Sequence, residues 1–259
     1  MPNETLKLPD ETLNQFAQAA VDKIFANHLN REEHGFAVQI AQEIKYLYDK
    51  NLPVEQWRNH VTDFEQSLQA KLNQAQTASQ RSALRFACLW LQQNAGQAVE
   101  QVYNKLPEQQ AYYKQGVEQA EQFLAQGETA AFVREVVLRL YLNAGLAYGK
   151  QDDWQKEIDT YLKALSHAEA FLTAGETASG VRDEVLRLYA NAGYAYEQQG
   201  NLPQAIDTYL KGLSHAEDFL TAGETATGVR ELVLKLYSNA GATYEKQGDL
   251  PQAIDTVRR

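Results

Sequence analysis

The stretch LRLYANAG at residues 186–193 decides the fold of this chain, because it recurs at a fixed interval. LRLYLNAG precedes it at residues 138–145 and LKLYSNAG follows it at residues 234–241. The tripeptide Glu-Thr-Ala repeats at the same interval of 48 residues, beginning at Glu128, Glu176 and Glu224. Self-similarity at a constant spacing is the signature of a repeat protein, in which one structural unit is stacked several times.

A second segment of each unit repeats as well. QAIDTYLKGLSHAEDFL at residues 204–220 parallels KEIDTYLKALSHAEAFL at residues 156–172, and its first five residues return at 252–256. A weaker copy lies upstream, where Asn94-Ala-Gly96 matches the other Asn-Ala-Gly triplets. We therefore predict a repeat array over residues 78–259, with a degenerate unit at 78–127, full units at 128–175 and 176–223, and a shorter unit at 224–259.

Both segments of a unit have the periodicity of an α-helix. Pro203 suits the first turn of one helix, and Gly223 can adopt the left-handed conformation that ends it. The two helices of a unit therefore form a hairpin, joined by the breaker cluster at residues 200–203. Apolar residues recur every three or four positions: Ile206, Tyr209, Leu210, Leu213, Ala216 and Leu220 in one helix, and Val181, Val185, Leu188, Tyr189, Ala192 and Tyr196 in the other.

A single hairpin cannot bury its own apolar face, so successive hairpins are expected to stack into a solenoid with a continuous core. Gly145, Gly193 and Gly241 fall in the middle of helices, where each costs about 0.5–1 kcal/mol relative to alanine. Close packing of a neighbouring helix against these glycines would compensate for that cost. The sequence thus predicts an all-α fold, a right-handed superhelical solenoid of antiparallel helical hairpins.

The stretch YANAGYAYEQQGNLPQAIDTYLKGL at residues 189–213 resembles a tetratricopeptide repeat. The resemblance covers residues 138–259 well, residues 78–127 poorly and residues 1–77 hardly at all. The residues that match the motif at its spacing are Gly193, Tyr196, Gly200, Leu202, Ala205, Tyr209 and Gly212.

Three features depart from the usual tetratricopeptide pattern. The unit here has 48 residues instead of about 34, so each helix is expected to gain about two turns, as in the extended repeats of kinesin light chain. Glu217 stands where the family commonly has a proline, which agrees with a longer second helix. Glu157 replaces the small residue found at Ala205 and Ala253, which makes the packing of that hairpin unusual.

Residues 1–77 are expected to be helical too, and to form either an eroded hairpin or a segment that caps the array or docks a partner. The run Asn51-Leu-Pro53 resembles Asn201-Leu-Pro203, which favours the eroded hairpin. Apolar residues at helical spacing are Phe16, Ala20 and Ile24, then Phe36, Ile40, Ile44 and Leu47, then Trp57, Val61, Phe64, Leu68 and Leu72.

Composition excludes several classes of protein. The formal net charge of -10 opposes nucleic-acid binding, and the longest apolar run, residues 86–91, is far shorter than the roughly 18 residues that a membrane span requires. The single Cys88 cannot form an internal disulfide or a zinc cage. Residues 1–10 lack the features of a secretion signal, so we expect a cytoplasmic protein with no membrane or nucleic-acid partner.

No set of residues in the sequence forms a catalytic motif, so we expect no enzyme, no cofactor and no metal. His167-Ala-Glu169 and His215-Ala-Glu217 have the His-x-Glu spacing of zinc deaminases, but the required cysteine pair is absent. We interpret both histidines as equivalent, partly exposed helix positions. Cys88, within an apolar stretch, is interpreted as a small core residue.

A polar stripe on the first helix of each unit is the candidate binding site. A basic residue and an asparagine stand four residues apart, on one helix face, in all three units. The resemblance implies that first helices line a concave groove, where asparagine can bind a peptide backbone and a cation can pair with a carboxylate. The candidate peptide-binding residues are Arg139, Asn143, Leu146, Arg187, Asn191, Tyr194, Lys235 and Asn239, with Ala242 at the position of Leu146 and Tyr194.

A structural interpretation of the same stripe stays open. Glu135, Asp183 and Glu231 each precede the basic residue of their unit by four positions, so the cations could form surface ion pairs instead. The function we predict is a protein-interaction module that binds an extended, acidic segment of a partner. The alternatives are a sensor or regulatory segment of a larger signalling protein and a scaffold that self-associates through the open C-terminal repeat.

Overall fold

The computed structural model of the protein describes residue 43, residues 46–49 and residues 51–258. Within these residues the chain forms nine α-helices and no β-strand, which confirms the predicted all-α class. The predicted helical positions Phe16, Ala20, Ile24, Phe36, Ile40 and Ile44 lie outside the described residues. The helices are α1 (Val54–Gln74), α2 (Ala78–Tyr103), α3 (Leu106–Ala125), α4 (Ala131–Gly149), α5 (Trp154–Thr173), α6 (Ser179–Gln198), α7 (Leu202–Thr221), α8 (Thr227–Gln247) and α9 (Leu250–Arg258).

Contacts divide the chain into two units, residues 1–112 and residues 113–259. In the first unit α1 packs on α2, and the predicted apolar positions of α1 from Trp57 to Leu68 are buried. The Trp57 indole donates a hydrogen bond to the Leu47 carbonyl at 2.9 Å. A boundary after residue 77 stays a prediction, although Thr77 does cap the N-terminus of α2.

Helix α2 is buried over most of its central turns, and Cys88 lies among them. Burial raises the pKa of the Cys88 thiol to about 12. A thiol held in its neutral form is a poor nucleophile, since the thiolate is the reactive species. The interpretation of Cys88 as a core residue agrees with this environment.

The second unit contains three consecutive hairpins, α4/α5, α6/α7 and α8/α9. The two helices of each hairpin pack together, and α5 and α7 also pack on α6 and α8, the first helices of the next hairpins. The first helices α4, α6 and α8 are neighbours as well, α4 contacting α6 and α6 contacting α8. Helix α7 continues past Glu217 to Thr221, so the second helix is longer than in the usual tetratricopeptide unit, as predicted.

Tyrosine rings from the second helices cover the mid-helix glycines. A Cβ atom on Gly145 would lie 2.3 Å from Tyr161 Cε1, and one on Gly193 would lie 2.4 Å from Tyr209 Cε1. Such distances leave no room for a side chain, so the backbone of the first helix touches the tyrosine ring directly. The predicted close approach at Gly145 and Gly193 is confirmed, and Gly241 is likewise buried.

Residues in the left-handed conformation, with positive φ, end the helices at equivalent repeat positions. Gly223 has φ 89°, which confirms the predicted helix end. At the end of the first helices, Gly200 and Gly248 have φ 84° and 87°, while Asp152 and Asn104 take the same position with φ 58° and 53°. Asp and Asn tolerate this conformation better than other non-glycine residues.

The recurring Glu-Thr-Ala tripeptide has a structural role at the start of each first helix. Glu224 Oε1 accepts hydrogen bonds from the backbone N–H groups of Thr225 and Ala226, both at 2.9 Å. Its Oε2 accepts from Ser179 Oγ at 2.6 Å and from Arg182 Nη1 at 3.2 Å, in the preceding first helix. These hydrogen bonds, from Ser179 most of all, lower the pKa of Glu224 to about 2. The carboxylate therefore links two hairpins.

Glu157 is accommodated by a second substitution in the same hairpin. The residue is buried in α5, and a Cβ atom on Gly149 would lie only 2.5 Å from Glu157 Oε2. The position of Gly149 is glutamate in the next two units, Glu197 and Glu245. In this hairpin the glutamate therefore stands on the second helix instead of the first, and Gly149 on the first helix leaves the space that its side chain occupies.

Candidate functional site

Each inner first helix leaves one narrow stripe open to solvent. On α6 this stripe runs through Asp183, Arg187, Asn191, Tyr194 and Gln198, which are spaced three or four residues apart. Most of the helix on either side of the stripe is buried against neighbouring helices. The residues predicted from the sequence are therefore the ones that α6 presents to solvent.

The same stripe exists on α4 and α8, and the three stripes are adjacent because α4, α6 and α8 are neighbours. Leu146 and Tyr194 are 39% and 48% exposed, and Arg187, Lys235 and Ala242 are exposed too. The other predicted residues are half-buried. We call this the first-helix surface; it comprises Arg139, Asn143, Leu146, Arg187, Asn191, Tyr194, Lys235, Asn239 and Ala242.

The three cations of the first-helix surface differ in their partners. Arg139 Nη2 lies 2.7 Å from Glu135 Oε1 in α4 and 2.6 Å from Glu184 Oε1 in α6. Glu184 is buried; burial raises the pKa of its carboxyl, and the Arg139 guanidinium opposes that rise. Arg139 is therefore held between two carboxylates and serves the contact between α4 and α6.

Arg187 and Lys235 are more accessible to a ligand than Arg139 is. Arg187 Nε contacts Asp183 Oδ2 at 2.6 Å, and 47% of its side chain is exposed. Lys235 is exposed and forms no ion pair with any residue that the structure describes, although Glu231 precedes it by four positions. The four-residue ion pairs of the alternative interpretation are thus present at Arg139 and Arg187, and no such pair forms at Lys235 among the described residues.

We call the contact of Arg139 with Glu135 and Glu184 the clamp on Arg139. It could not be predicted from the residues that the repeats have in common. Its second partner, Glu184, occupies a position that is Val136 in the preceding unit and Leu232 in the following one. A single glutamate among aliphatic residues was the available signal, since a buried carboxylate needs a partner. Because Leu232 stands at that position in α8, Arg187 has no second carboxylate of this kind.

Asn143, Asn191 and Asn239 lie one helical turn C-terminal to the three cations. Asn143 Nδ2 is buried and has no hydrogen-bond partner within the described residues. Asn239 lies beside Tyr209. Burial raises the pKa of the Tyr209 hydroxyl, and the Asn239 amide opposes part of that rise. An unsatisfied amide donor is costly, and a ligand acceptor that reached it after a side-chain rotation would remove that cost.

His167 and His215 lie away from this surface, on the second helices α5 and α7. Each is partly exposed. His167 Nε2 lies 2.7 Å from Glu121 in α3, and His215 Nε2 lies 2.7 Å from Glu169 in α5. Tyr141 and Tyr189 donate hydrogen bonds to the same carboxylates. The predicted equivalence of the two histidines is confirmed, and their role is a contact between consecutive hairpins.

Among the described residues, no group of three or more His, Cys, Asp and Glu side chains is arranged to hold a metal ion. None of the helices in these residues has the length and apolar character that crossing a membrane requires.

Comparison with known proteins identifies the repeat. A family model described as tetratricopeptide repeat matches residues 186–219, which include most of α6 and nearly all of α7. No curated protein sequence matches the chain significantly. A solved structure, the crystal structure of BtubC (BKLC) from P. vanneervenii, is similar in fold with a TM-score of 0.57 and 16% identity, over 98% of this chain and 90% of that one. The matched segment is therefore a tetratricopeptide repeat, and the structural likeness shows that the hairpins stack as a helical solenoid.

Proposed function

We propose that the first-helix surface binds an extended peptide segment of a partner protein. Tetratricopeptide repeats generally mediate protein–protein interactions, and their fold is typically non-enzymatic. The observation that favours this surface is its alignment: a cation, an asparagine and a variable residue occupy matching positions on three adjacent helices, so each residue type forms a row across the helices. The protein would act by presenting these rows in a fixed arrangement.

The asparagine row would bind the peptide backbone. An asparagine side chain both donates and accepts hydrogen bonds, so it can pair with a backbone N–H and C=O whatever the partner's side chains. The unsatisfied Nδ2 of Asn143 supports this role. Asn191 and Asn239, at the same position in the next two hairpins, would extend the contact along the peptide.

The variable row would select side chains of the partner. Leu146 and Tyr194 present exposed apolar surface, whereas Ala242 leaves space at the same position of α8. A partner with an apolar side chain opposite α4 and α6 would bury that surface, and each buried methylene contributes about 0.8 kcal/mol.

An acidic residue of the partner would bind toward α8. Among the described residues, Lys235 has no carboxylate to release, Arg187 has one, and Arg139 would have to leave two. Exposed ion pairs are weak, so replacing Asp183 by a partner carboxylate costs little. The acidic preference would therefore come from Lys235 and Arg187.

Selection from a random peptide display library tests the proposal. Peptides selected on the wild-type chain should lose at least about tenfold in affinity for a variant with Asn143, Asn191 and Asn239 all changed to Ala. The matched control changes Ser166 and Ser214, exposed on α5 and α7, to Ala and should leave affinity unchanged. Equal affinity of the triple variant and the wild type would exclude the asparagine row from binding.

A further inference from the structure

Tyr161 and Tyr209 occupy the same repeat position, but their hydroxyl groups differ in their partners. Both side chains are fully buried, and each ring covers a glycine of the first helix in its hairpin, Gly145 or Gly193. The Tyr161 hydroxyl donates a hydrogen bond to Glu157 Oε1 at 2.9 Å. The Tyr209 hydroxyl has no hydrogen-bond partner among the residues that the structure describes. One of two equivalent buried hydroxyl groups is therefore unsatisfied.

The difference follows from the sequences of the two second helices. The acceptor for Tyr161 stands four residues earlier in α5, and the same position of α7 is Ala205. An alanine side chain cannot accept a hydrogen bond. Because a buried hydroxyl that donates to nothing is costly, the hydrogen of the Tyr209 hydroxyl needs an acceptor from another helix.

Three side chains lie close enough to the Tyr209 hydroxyl to act on its pKa. Burial raises this pKa most, Glu197 and Tyr194 of α6 raise it further, and the Asn239 amide of α8 lowers it. Both oxygens of Glu197 already accept hydrogen bonds from side chains of α8. Tyr194 is half-exposed, so water can satisfy its hydroxyl. Asn239 is therefore the neighbour whose side-chain oxygen is left to accept from Tyr209.

We infer that Tyr209 is a positioning residue for Asn239 in the first-helix surface, an inference that rests on the proposed function. A rotation of the Asn239 side chain lets its Oδ1 accept from the Tyr209 hydroxyl and turns both Nδ2 hydrogens toward the ligand. Asn239 then offers the ligand donors only. Asn191, at the equivalent position of α6, lacks such an orienting hydroxyl, because the equivalent Tyr161 donates to Glu157.

This arrangement defines the chemical group that binds over α8. Lys235, one helical turn before Asn239, is a donor as well and forms no ion pair with any described residue. Two donors and no acceptor on this part of the surface favour a carboxylate or a backbone carbonyl of the partner. The Asn191 amide is not fixed in this way and can pair with either an N–H or a C=O. The preference for acceptors is therefore specific to α8.

Two tyrosine-to-phenylalanine variants of the full chain test the inference. The probe is the tightest-binding peptide selected from the display library on the wild-type chain. Tyr209→Phe removes only a hydroxyl and should weaken the affinity about three- to tenfold, whereas Tyr161→Phe should leave it unchanged. Stability should respond in the opposite order, because Tyr161→Phe removes the partner of the buried Glu157. The urea midpoint should therefore fall more in Tyr161→Phe than in Tyr209→Phe.

A double-mutant cycle shows whether Tyr209 acts through Asn239. In a chain that carries Asn239→Ala, Tyr209→Phe should cause no further loss of affinity for the probe peptide. In the amide NMR spectrum of the peptide-bound chain, the Asn239 side-chain resonances should shift in Tyr209→Phe and stay in place in Tyr161→Phe. A tyrosine with a purely structural role would not depend on Asn239 in this way.

Three results would overturn the inference. They are equal affinity of the wild type and Tyr209→Phe for the probe peptide, additive losses in the cycle, and unshifted Asn239 resonances in Tyr209→Phe. Failure of the proposed function is distinguishable, because the variant with all three asparagines changed to Ala would then keep its affinity. Loss of affinity in that variant with none in Tyr209→Phe would leave the asparagine row in place and remove the role of Tyr209.

Discussion

Glu157 occupies the space that the missing side chain of Gly149 leaves free. A Cβ atom on Gly149 would come within 2.5 Å of Glu157 Oε2, while Glu157 Oε1 accepts a hydrogen bond from Tyr161 at 2.9 Å. In the next hairpin the pair is reversed, with Glu197 on the first helix and Ala205 on the second. The two positions are therefore coupled in packing.

Exchanging this pair tests the coupling. Gly149→Glu alone would force two carboxylates together at a buried position, so we expect it to lower the free energy of unfolding by about 3 kcal/mol. Adding Glu157→Ala restores the arrangement of the next hairpin and should recover most of that loss, as measured by urea denaturation. Strictly additive effects of the two substitutions would contradict the coupling.

The stability of the chain should depend on pH through Glu157. Burial raises the pKa of its carboxyl in the folded state above the usual value, so the folded state holds the proton more tightly than the unfolded state. The contribution of Glu157 to stability is therefore greatest below the ordinary glutamate pKa and is lost as pH rises through the raised one. Glu157→Gln should flatten this part of the urea-unfolding profile, and an unchanged profile would contradict the assignment.

Glu224 gives the opposite pH dependence. Its pKa of about 2 lies below the unfolded value, so its contribution is complete above pH of about 4.5 and is lost as pH falls toward 2. Glu224→Gln should cost about 1–2 kcal/mol at pH 7 and remove much of the acid sensitivity between those limits. Glu231→Gln, at an exposed position of α8, is the matched control and should change little. An acid profile like that of the wild type would contradict the role of Glu224.

The turn after α4 can be stabilised. Asp152 has φ 58° at the position where Gly200 and Gly248 have φ above 80°, and a non-glycine residue there is strained. Asp152→Gly should raise the free energy of unfolding by about 0.5–1 kcal/mol, measured by thermal or urea unfolding. The reverse substitution, Gly200→Asp, should lower it by a similar amount. A destabilised Asp152→Gly variant would show that the aspartate side chain, not the backbone, dominates at this position.

Arg139 and Lys235 should differ in what they support, although they occupy the same repeat position. Arg139→Gln leaves Glu184 buried without its partner and should cost about 3 kcal/mol of stability, which Glu184→Leu in the same chain should recover. Lys235→Gln should change stability by less than about 0.5 kcal/mol and instead weaken binding of acidic peptides. Equal stabilities of the two single variants would contradict the clamp on Arg139.

Local sequence pattern predicts most of this fold. Gly145 and Gly193 indicated close approach because a mid-helix glycine needs a packing reason, and Gly223 indicated a helix end because few other residues adopt positive φ. The positions of Arg187 and Asn191 on one polar helix face followed from helical spacing, and that of Tyr194 followed from the tetratricopeptide resemblance.

Contacts between hairpins were harder to predict. The clamp of Arg139 by Glu184 and the exchange of Gly149 with Glu157 depend on which residues of neighbouring helices lie opposite each other. Helical spacing fixes the face of a residue but not its register against another helix. The link from Glu224 to Arg182 was missed for the same reason, although the recurrence of Glu-Thr-Ala marked the position.

The binding of a peptide along the first-helix surface is tested most directly by mapping a selected peptide on the full chain. Backbone amide shifts in an NMR titration, or spin-label broadening from a labelled peptide, would locate it. Perturbation should concentrate at Arg187, Asn191, Tyr194, Lys235 and Asn239 and leave Ser166 and Ser214 unaffected. Perturbation confined to α5 and α7 would contradict the proposed function.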